Sequence, residues 1–162
     1  RGIGSIPFAG FHMQTFLPFP DFNESAKCLD YRRLGKQRIE AMQILIALVE
    51  NRGWIHHPAV AMWKGHELAL IRYGMAICDQ WINRKYKDSM RIRFINYSRS
   101  DVFSSYIMHH DVSENDPEWI GCREFHMAHQ SNLLRKCPEY YARKKFWTTR
   151  TDLPYIWPSG HL

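Results

Sequence analysis

Between Tyr31 and Glu50 the apolar residues Leu34, Met42, Leu45, Ile46 and Val49 recur at helical spacing and form a wide apolar face. The polar strip Arg33, Gln37, Glu40 runs on into Ile44 and Ala47. At 100° per residue these share one side, so the second half of this helix is apolar nearly all round and central. Its polar first half then sits at the rim of the core, which is how a polar cluster comes to line a cleft. Asn51-Arg52-Gly53 ends the helix, with Gly53 supplying the left-handed position. Pro58 suits a helix start. From Ala59 to Asn83 the spacing predicts one long helix, in which Gly65 and Gly74 allow close packing or a break. A third solid helix is predicted from Glu118 to Arg135, broken by Cys137-Pro138, with a restart over 138–145.

The remaining segments are weaker. Pro18 and Pro20 forbid a helix over Met13 to Phe22 and favour an extended path. Asp21 or Asn23 then offers an N-cap for a short helix through Leu29. Met90 to Tyr97 is ambiguous, since Arg91 to Ile95 alternates like a strand for five residues. Ser98 to His110 reads as helical or irregular. Thr148 to Leu162, punctuated by Pro154, Trp157 and Pro158, is expected to be extended. The expected fold is all-α: a single compact helical domain over residues 13–162 with extended N- and C-terminal segments. Residues 1–12 precede a His-Met junction and read as a foreign extension of the kind left by cloning, with Met13 as the native start.

Length and composition change this picture little. A chain of 162 residues that is 45% hydrophobic holds one core. Four widely spaced cysteines without a CxxC argue for reduced thiols, and no run approaches a membrane span, so a cytoplasmic protein is expected. Charge is more informative. The net charge is +6, and between Ser131 and Arg150 six cations (Arg135, Lys136, Arg143, Lys144, Lys145, Arg150) face only Glu139. Asp111 to Glu118 is acidic. Such asymmetry favours a polyanionic partner.

Four constellations could carry chemistry. Arg32 to Glu40 is either a solvated face with intrahelical ion pairs or a carboxylate held beside arginines at the core rim, suited to a general base or to stabilising a cationic intermediate. His57, before Pro58, either caps a helix or reaches a phosphate or substrate edge. Cys122, His126, His129 and Cys137 contain zinc-ligand types, but at a spacing unlike known fingers, so no metal is expected. His129 to Lys136, followed by Tyr140, Tyr141 and Phe146-Trp147, interleaves cations and aromatics. That arrangement fits phosphate contacts and base stacking, or else a basic surface with its aromatics turned inward.

The runs Met13-Gln-Thr-Phe-Leu-Pro-Phe-Pro-Asp-Phe22, Leu29-Asp-Tyr-Arg-Arg-Leu-Gly-Lys-Gln-Arg-Ile-Glu40, His57-Pro-Ala-Val-Ala-Met-Trp63 and His129-Gln-Ser-Asn-Leu-Leu-Arg-Lys136 resemble a group of small bacterial and phage proteins labelled pyrimidine dimer DNA glycosylase, of the phage endonuclease V type. The resemblance implies an all-helical domain without cofactor, in which an N-terminal α-amine attacks the sugar C1′ to form an imine, a glutamate assists, and β-elimination nicks the strand. Glu40 matches that glutamate, and Arg33 and Arg38 match flanking phosphate binders. The sequence departs from the pattern at Gln14, whose bulk after Met13 disfavours removal of the methionine. The nucleophile implied is therefore the Met13 α-amine or Lys36. The expected function is a DNA glycosylase with AP-lyase activity, acting as a monomer on double-stranded DNA without a membrane partner. Arg33, Gln37, Arg38, His57, His129, Asn132, Arg135 and Lys136 are the expected nucleic-acid contacts. The alternatives are a non-catalytic nucleic-acid-binding module and an enzyme acting on a small molecule or nucleotide through Glu40 and His57.

Overall fold

The computed structural model describes residues 13–158, so the foreign-extension reading of residues 1–12 lies outside the described residues. Among the described residues the chain forms eight helices and no strand. They are α1 (Phe22–Cys28), α2 (Tyr31–Glu50), α3 (Pro58–Ala61), α4 (Glu67–Asn83), α5 (Met90–Ser98), α6 (Asp101–His109), α7 (Arg123–Lys136) and α8 (Pro138–Tyr141). The fold is all-α, and none of these helices is long and apolar enough to cross a membrane.

Helix α2 has the expected bounds. Asp30 caps it by accepting the Arg33 N–H at 3.4 Å, and the Tyr141 hydroxyl donates to the same carboxylate. Its left-handed C-cap is Asn51 (φ 51°) rather than Gly53, because a short polar side chain tolerates that region; Gly53 is also at positive φ, two residues on. Leu34, Ala41, Met42, Ile44, Leu45 and Leu48 are buried, which makes α2 central. It packs on α4, which in turn carries α1 and α5.

Three expectations are corrected. The helix expected from Ala59 to Asn83 is two helices, because Gly65 adopts φ +84° and its N–H turns to the buried Glu67 carboxylate at 3.1 Å. The strand-like run after Met90 is helix α5. Asp88 accepts the N–H groups of Met90 and Arg91 at 3.2 and 2.8 Å, and Met90 and Phe94, one turn apart, are buried together. The helix expected from Glu118 starts instead at Arg123, after a turn in which Gly121 takes φ +93°.

The Gly74 position in α4 is where α5 makes its closest approach. A Cβ there would stand 2.3 Å from Cζ of the fully buried Phe94. Alanine improves helix propensity by about 1 kcal/mol but forces Phe94 off its site, and overpacking of that kind costs about 1–3 kcal/mol. Gly74→Ala is therefore expected to lower the urea midpoint, and an unchanged or raised midpoint would contradict this packing.

Candidate active site

The site begins with a segment that has no secondary structure of its own. Residues 13–19 run through the protein with Thr15, Phe16 and Leu17 buried, so their peptide groups need partners. Side chains supply them. His129 Nδ1 accepts the Leu17 N–H at 3.0 Å, and His126 Nδ1 meets the Leu17 carbonyl at 2.8 Å. Gln130 donates to the Pro18 carbonyl at 2.7 Å. From α4, the Tyr73 hydroxyl lies 3.0 Å from both the N–H and the carbonyl of Phe16, and 2.5 Å from Gln37 Oε1. From α2, Gln37 Oε1 also accepts the Phe16 N–H at 3.2 Å, while its amide donates to the Gln14 carbonyl at 2.8 Å. Trp63 Nε1–H donates to Thr15 Oγ1 at 3.1 Å.

The far end of this segment completes a cleft of about 330 Å³. Gln14, Phe16, Arg32, Arg33, Lys36, Gln37, Glu40 and Lys136 line it. At its wall Glu40 is only 7% exposed. One carboxylate oxygen accepts the Gln14 N–H at 3.2 Å, and the other lies 3.6 Å from Lys36 Nζ. Burial pushes the Glu40 carboxyl above its ordinary value, opposed by the Gln14 N–H and by Lys36 and Lys136. Arg33 is held at the mouth by Asp30, 3.1 Å from its guanidinium. A buried carboxylate with raised proton affinity, ringed by cations, is equipped to accept a proton and to stabilise a developing positive charge where phosphates can dock.

The structure thus brings together Arg33, Lys36, Gln37, Glu40 and Lys136. Met13 adjoins the cleft through Gln14, with its side chain in the core at 5% exposure. The other expected contacts are placed elsewhere. The Arg38 guanidinium sits 2.5 Å from Asp88 and over the Trp81 ring at 4.4 Å, which removes it from the cleft. His57 Nδ1 caps α3 by accepting the Ala59 N–H at 3.0 Å, its ring stands edge-on to Trp157, and burial lowers its pKa. His57 and Glu40 therefore do not share the cleft. His129 is buried against Phe125 and Tyr155. Asn132 donates to the Gln14 side chain at 3.3 Å and accepts from Arg135, whose guanidinium also reaches the Thr151 carbonyl. The polar run from His129 to Asn132 accordingly faces inward and clamps both terminal segments; Gln130 and Ser131 also accept the Trp147 and Leu153 N–H groups.

His126 and His129 are occupied by Leu17, and no group of three His, Cys, Asp or Glu among the described residues could hold a metal ion. Sequence reasoning did not single out Tyr73, and it placed Tyr141 only among stacking candidates and Trp63 only within a run carrying the resemblance, not as partners of the buried backbone. The only advance sign of their roles was that a rich aromatic supply includes groups with a hydroxyl or indole N–H that must find a partner when buried.

The model of the family described as pyrimidine dimer DNA glycosylase matches residues 13–94, which contain every cleft residue except Lys136. No curated protein and no solved structure matches the chain.

Two pH effects follow from this geometry. Burial lowers the His129 pKa to about 3 from 6.5. A base whose pKa is depressed on folding stabilises the native state above its unfolded value, and that stability is lost as pH falls toward the folded one. At about 1.4 kcal/mol per unit this is on the order of a few kcal/mol. The urea midpoint is expected to fall between pH 6.5 and 4, less steeply in His129→Gln. Glu40 has the opposite sign, since ionising a buried carboxyl above its raised pKa opposes folding. Glu40→Gln is expected to be more stable than wild type at pH 7–8, with the gain closing as pH falls below the ordinary carboxyl value of 4.5. A loss of stability at pH 7 would contradict this environment.

Proposed function

The chain belongs to the pyrimidine dimer DNA glycosylase family, and from that premise we propose that it excises a damaged base from double-stranded DNA and then nicks the strand, through an imine between an amine of the Glu40 cleft and the sugar. The observation that carries the reading is the burial of Glu40 at the wall of a cleft otherwise edged by Arg32, Arg33, Lys36 and Lys136. DNA presents phosphates to those cations, and an extruded nucleotide brings its sugar out of the stack toward an enzyme pocket. Glu40, with its raised proton affinity, takes a proton from C2′ once the imine has acidified it.

The amine is to be supplied nearby. Lys36 is paired to Glu40. In this chain the Met13 nitrogen is acylated by His12, and the next N–H along, that of Gln14, is the one bound by Glu40. A chain beginning at Met13 would bring an α-amine, with a pKa near about 8, to within one residue of that carboxylate. The protein is proposed to act as a monomer in the cytoplasm.

Glu40→Gln is expected to retain duplex binding while strand nicking at an abasic site falls by about 10²–10⁴-fold. Undiminished nicking would remove the carboxylate from the chemistry. Binding itself is expected to weaken steeply with salt, with a log–log slope of about −3 or steeper if the four cleft cations contact phosphate. A flat salt response would mean that these cations do not meet the DNA backbone.

A further inference from the structure

Three aromatic rings meet on the flank of α2 next to the cleft. Tyr31, Gly35 and Arg38 share one side of that helix, and Trp81 of α4 lies against all three. Tyr31 stacks on Trp81 with 5.7 Å between centroids and 18° between planes. A Cβ at Gly35 would stand 3.0 Å from the indole, and the Arg38 guanidinium covers it at 4.4 Å. Tyr86 closes the group, 4.3 Å from Trp81 and 5.3 Å from Tyr31. Trp81 is buried, whereas Tyr31 and Tyr86 are 54% and 39% exposed. The loop after α4 is bent to hold Tyr86 there. Lys85 takes φ 71°, a left-handed conformation unfavourable for a residue with a Cβ, and the Trp81 Nε1–H pins the loop by donating to the Lys87 carbonyl at 2.8 Å. Backbone strain that keeps a large ring at the surface, rather than in the core, points to a ligand.

The charge around the rings points to the kind of ligand. Nearby acids are engaged: Asp30 by Arg33 and Tyr141, Asp79 by Arg91, and Asp88 by Arg38 and two backbone N–H groups. Arg32, Lys85 and Lys87 are exposed and make no ion pair among the described residues. Arg32, the chain neighbour of Tyr31, also lines the cleft, so the rings and the cleft adjoin. An acidic peptide would match the charge, but this continuity favours the DNA bound at the cleft.

We propose that Tyr31 and Tyr86, braced by Trp81, form a stacking platform for one unpaired base, outside the cleft, of the DNA whose target nucleotide enters it. The proposal rests on DNA as the substrate and not on the imine step. Every base has a π-face, so two tyrosine rings select an unpaired base without selecting a sequence. Arg32, Lys85 and Lys87 take the flanking phosphates. A fully paired duplex keeps its bases in the stack and meets only the cations. The platform therefore favours distorted over intact duplex before any bond is broken.

The test compares the affinity of the full chain for a duplex with a short bubble of mismatched thymines and for the same duplex fully paired. Wild type is expected to prefer the bubble. Tyr31→Leu with Tyr86→Leu keeps apolar cover over Trp81 but removes both rings. This variant is expected to lose about tenfold or more on the bubble duplex and to stay within about threefold of wild type on the paired one. Tyr31→Phe with Tyr86→Phe keeps the rings and is expected to bind both duplexes within about threefold of wild type. Equal losses on the two duplexes, or no loss, overturn the platform. A second readout needs no variant: 5-iodouracil placed in the bubble and irradiated is expected to crosslink to the peptide holding Tyr31 or Tyr86. Crosslinks confined to other aromatics, such as Tyr140 or Trp147, overturn the platform and leave the Glu40 reading standing. Binding of poly-glutamate as tight as that of the bubble duplex, and lost alike in the leucine variant, would assign the patch to an acidic peptide and overturn it as well. No binding of wild type to either duplex defeats the DNA reading and the platform together.

Discussion

One residue, held through the peptide groups on both its sides, anchors the arrangement. Leu17 lies fully buried with its N–H accepted by His129 and its carbonyl met by His126, two side chains one turn apart on α7. The tautomers follow from the bonding. His126 donates through Nδ1 and accepts the Gly121 N–H at Nε2, whereas His129 accepts at Nδ1 and carries its proton on Nε2. Both rings must be neutral to do this, and burial lowers the pKa of each. A segment that in most folds would pair with a neighbouring strand is instead held by side chains from α2, α4 and α7. Deleting one of these partners leaves a buried peptide group unsatisfied, at about 1–3 kcal/mol. The same register delivers the Gln14 N–H to Glu40, so the clamp and the cleft are one construction.

Three carboxylates, Asp30, Asp88 and Glu40, fall into two electrostatic classes. Asp30 and Asp88 are both raised by burial, but the effect is outweighed by hydrogen bonds, from Tyr141 and Arg33 in one case and from the Arg91 N–H and Arg38 in the other, and both end below their ordinary values. Their roles are to cap α2 and α5 and to fix an arginine each. At Glu40 burial wins instead, with one backbone N–H and nearby lysines as the opposing influences. The two carboxylates whose hydrogen bonds prevail build the frame, and the one at which burial prevails faces the cleft.

Much of the fold was legible because helix α2 carries strong local signals. Asp30 precedes it, its apolar positions keep a 3.6 period, and the polar strip that turns apolar at Ile44 put Glu40 at the core rim. The short helix α1 and the irregular terminal segments were equally readable from Pro18, Pro20, Asp21 and Pro154. What failed needed tertiary information. A five-residue alternation at Arg91 could not reveal that Asp88 caps a helix there while also binding Arg38 from α2. The polar residues of α7 look in sequence like a face for a ligand, yet they are buried against segments lying 112 residues earlier and about twenty residues later. Nothing local distinguishes a polar side chain that binds a partner from one that binds its own distant backbone. The cleft itself joins α2, the leading segment and Lys136, and the last of these lies far along the chain from the other two.

The measurement that bears most directly on this account is the titration of the Glu40 carboxyl carbon by NMR, assigned by its loss in Glu40→Gln. A midpoint above the ordinary value of 4.5 is expected, since burial outweighs the Gln14 N–H and the flanking lysines. A midpoint at or below 4.5 would mean that Glu40 is a satisfied structural carboxylate like Asp30, and would contradict its role as the poised acid of the cleft.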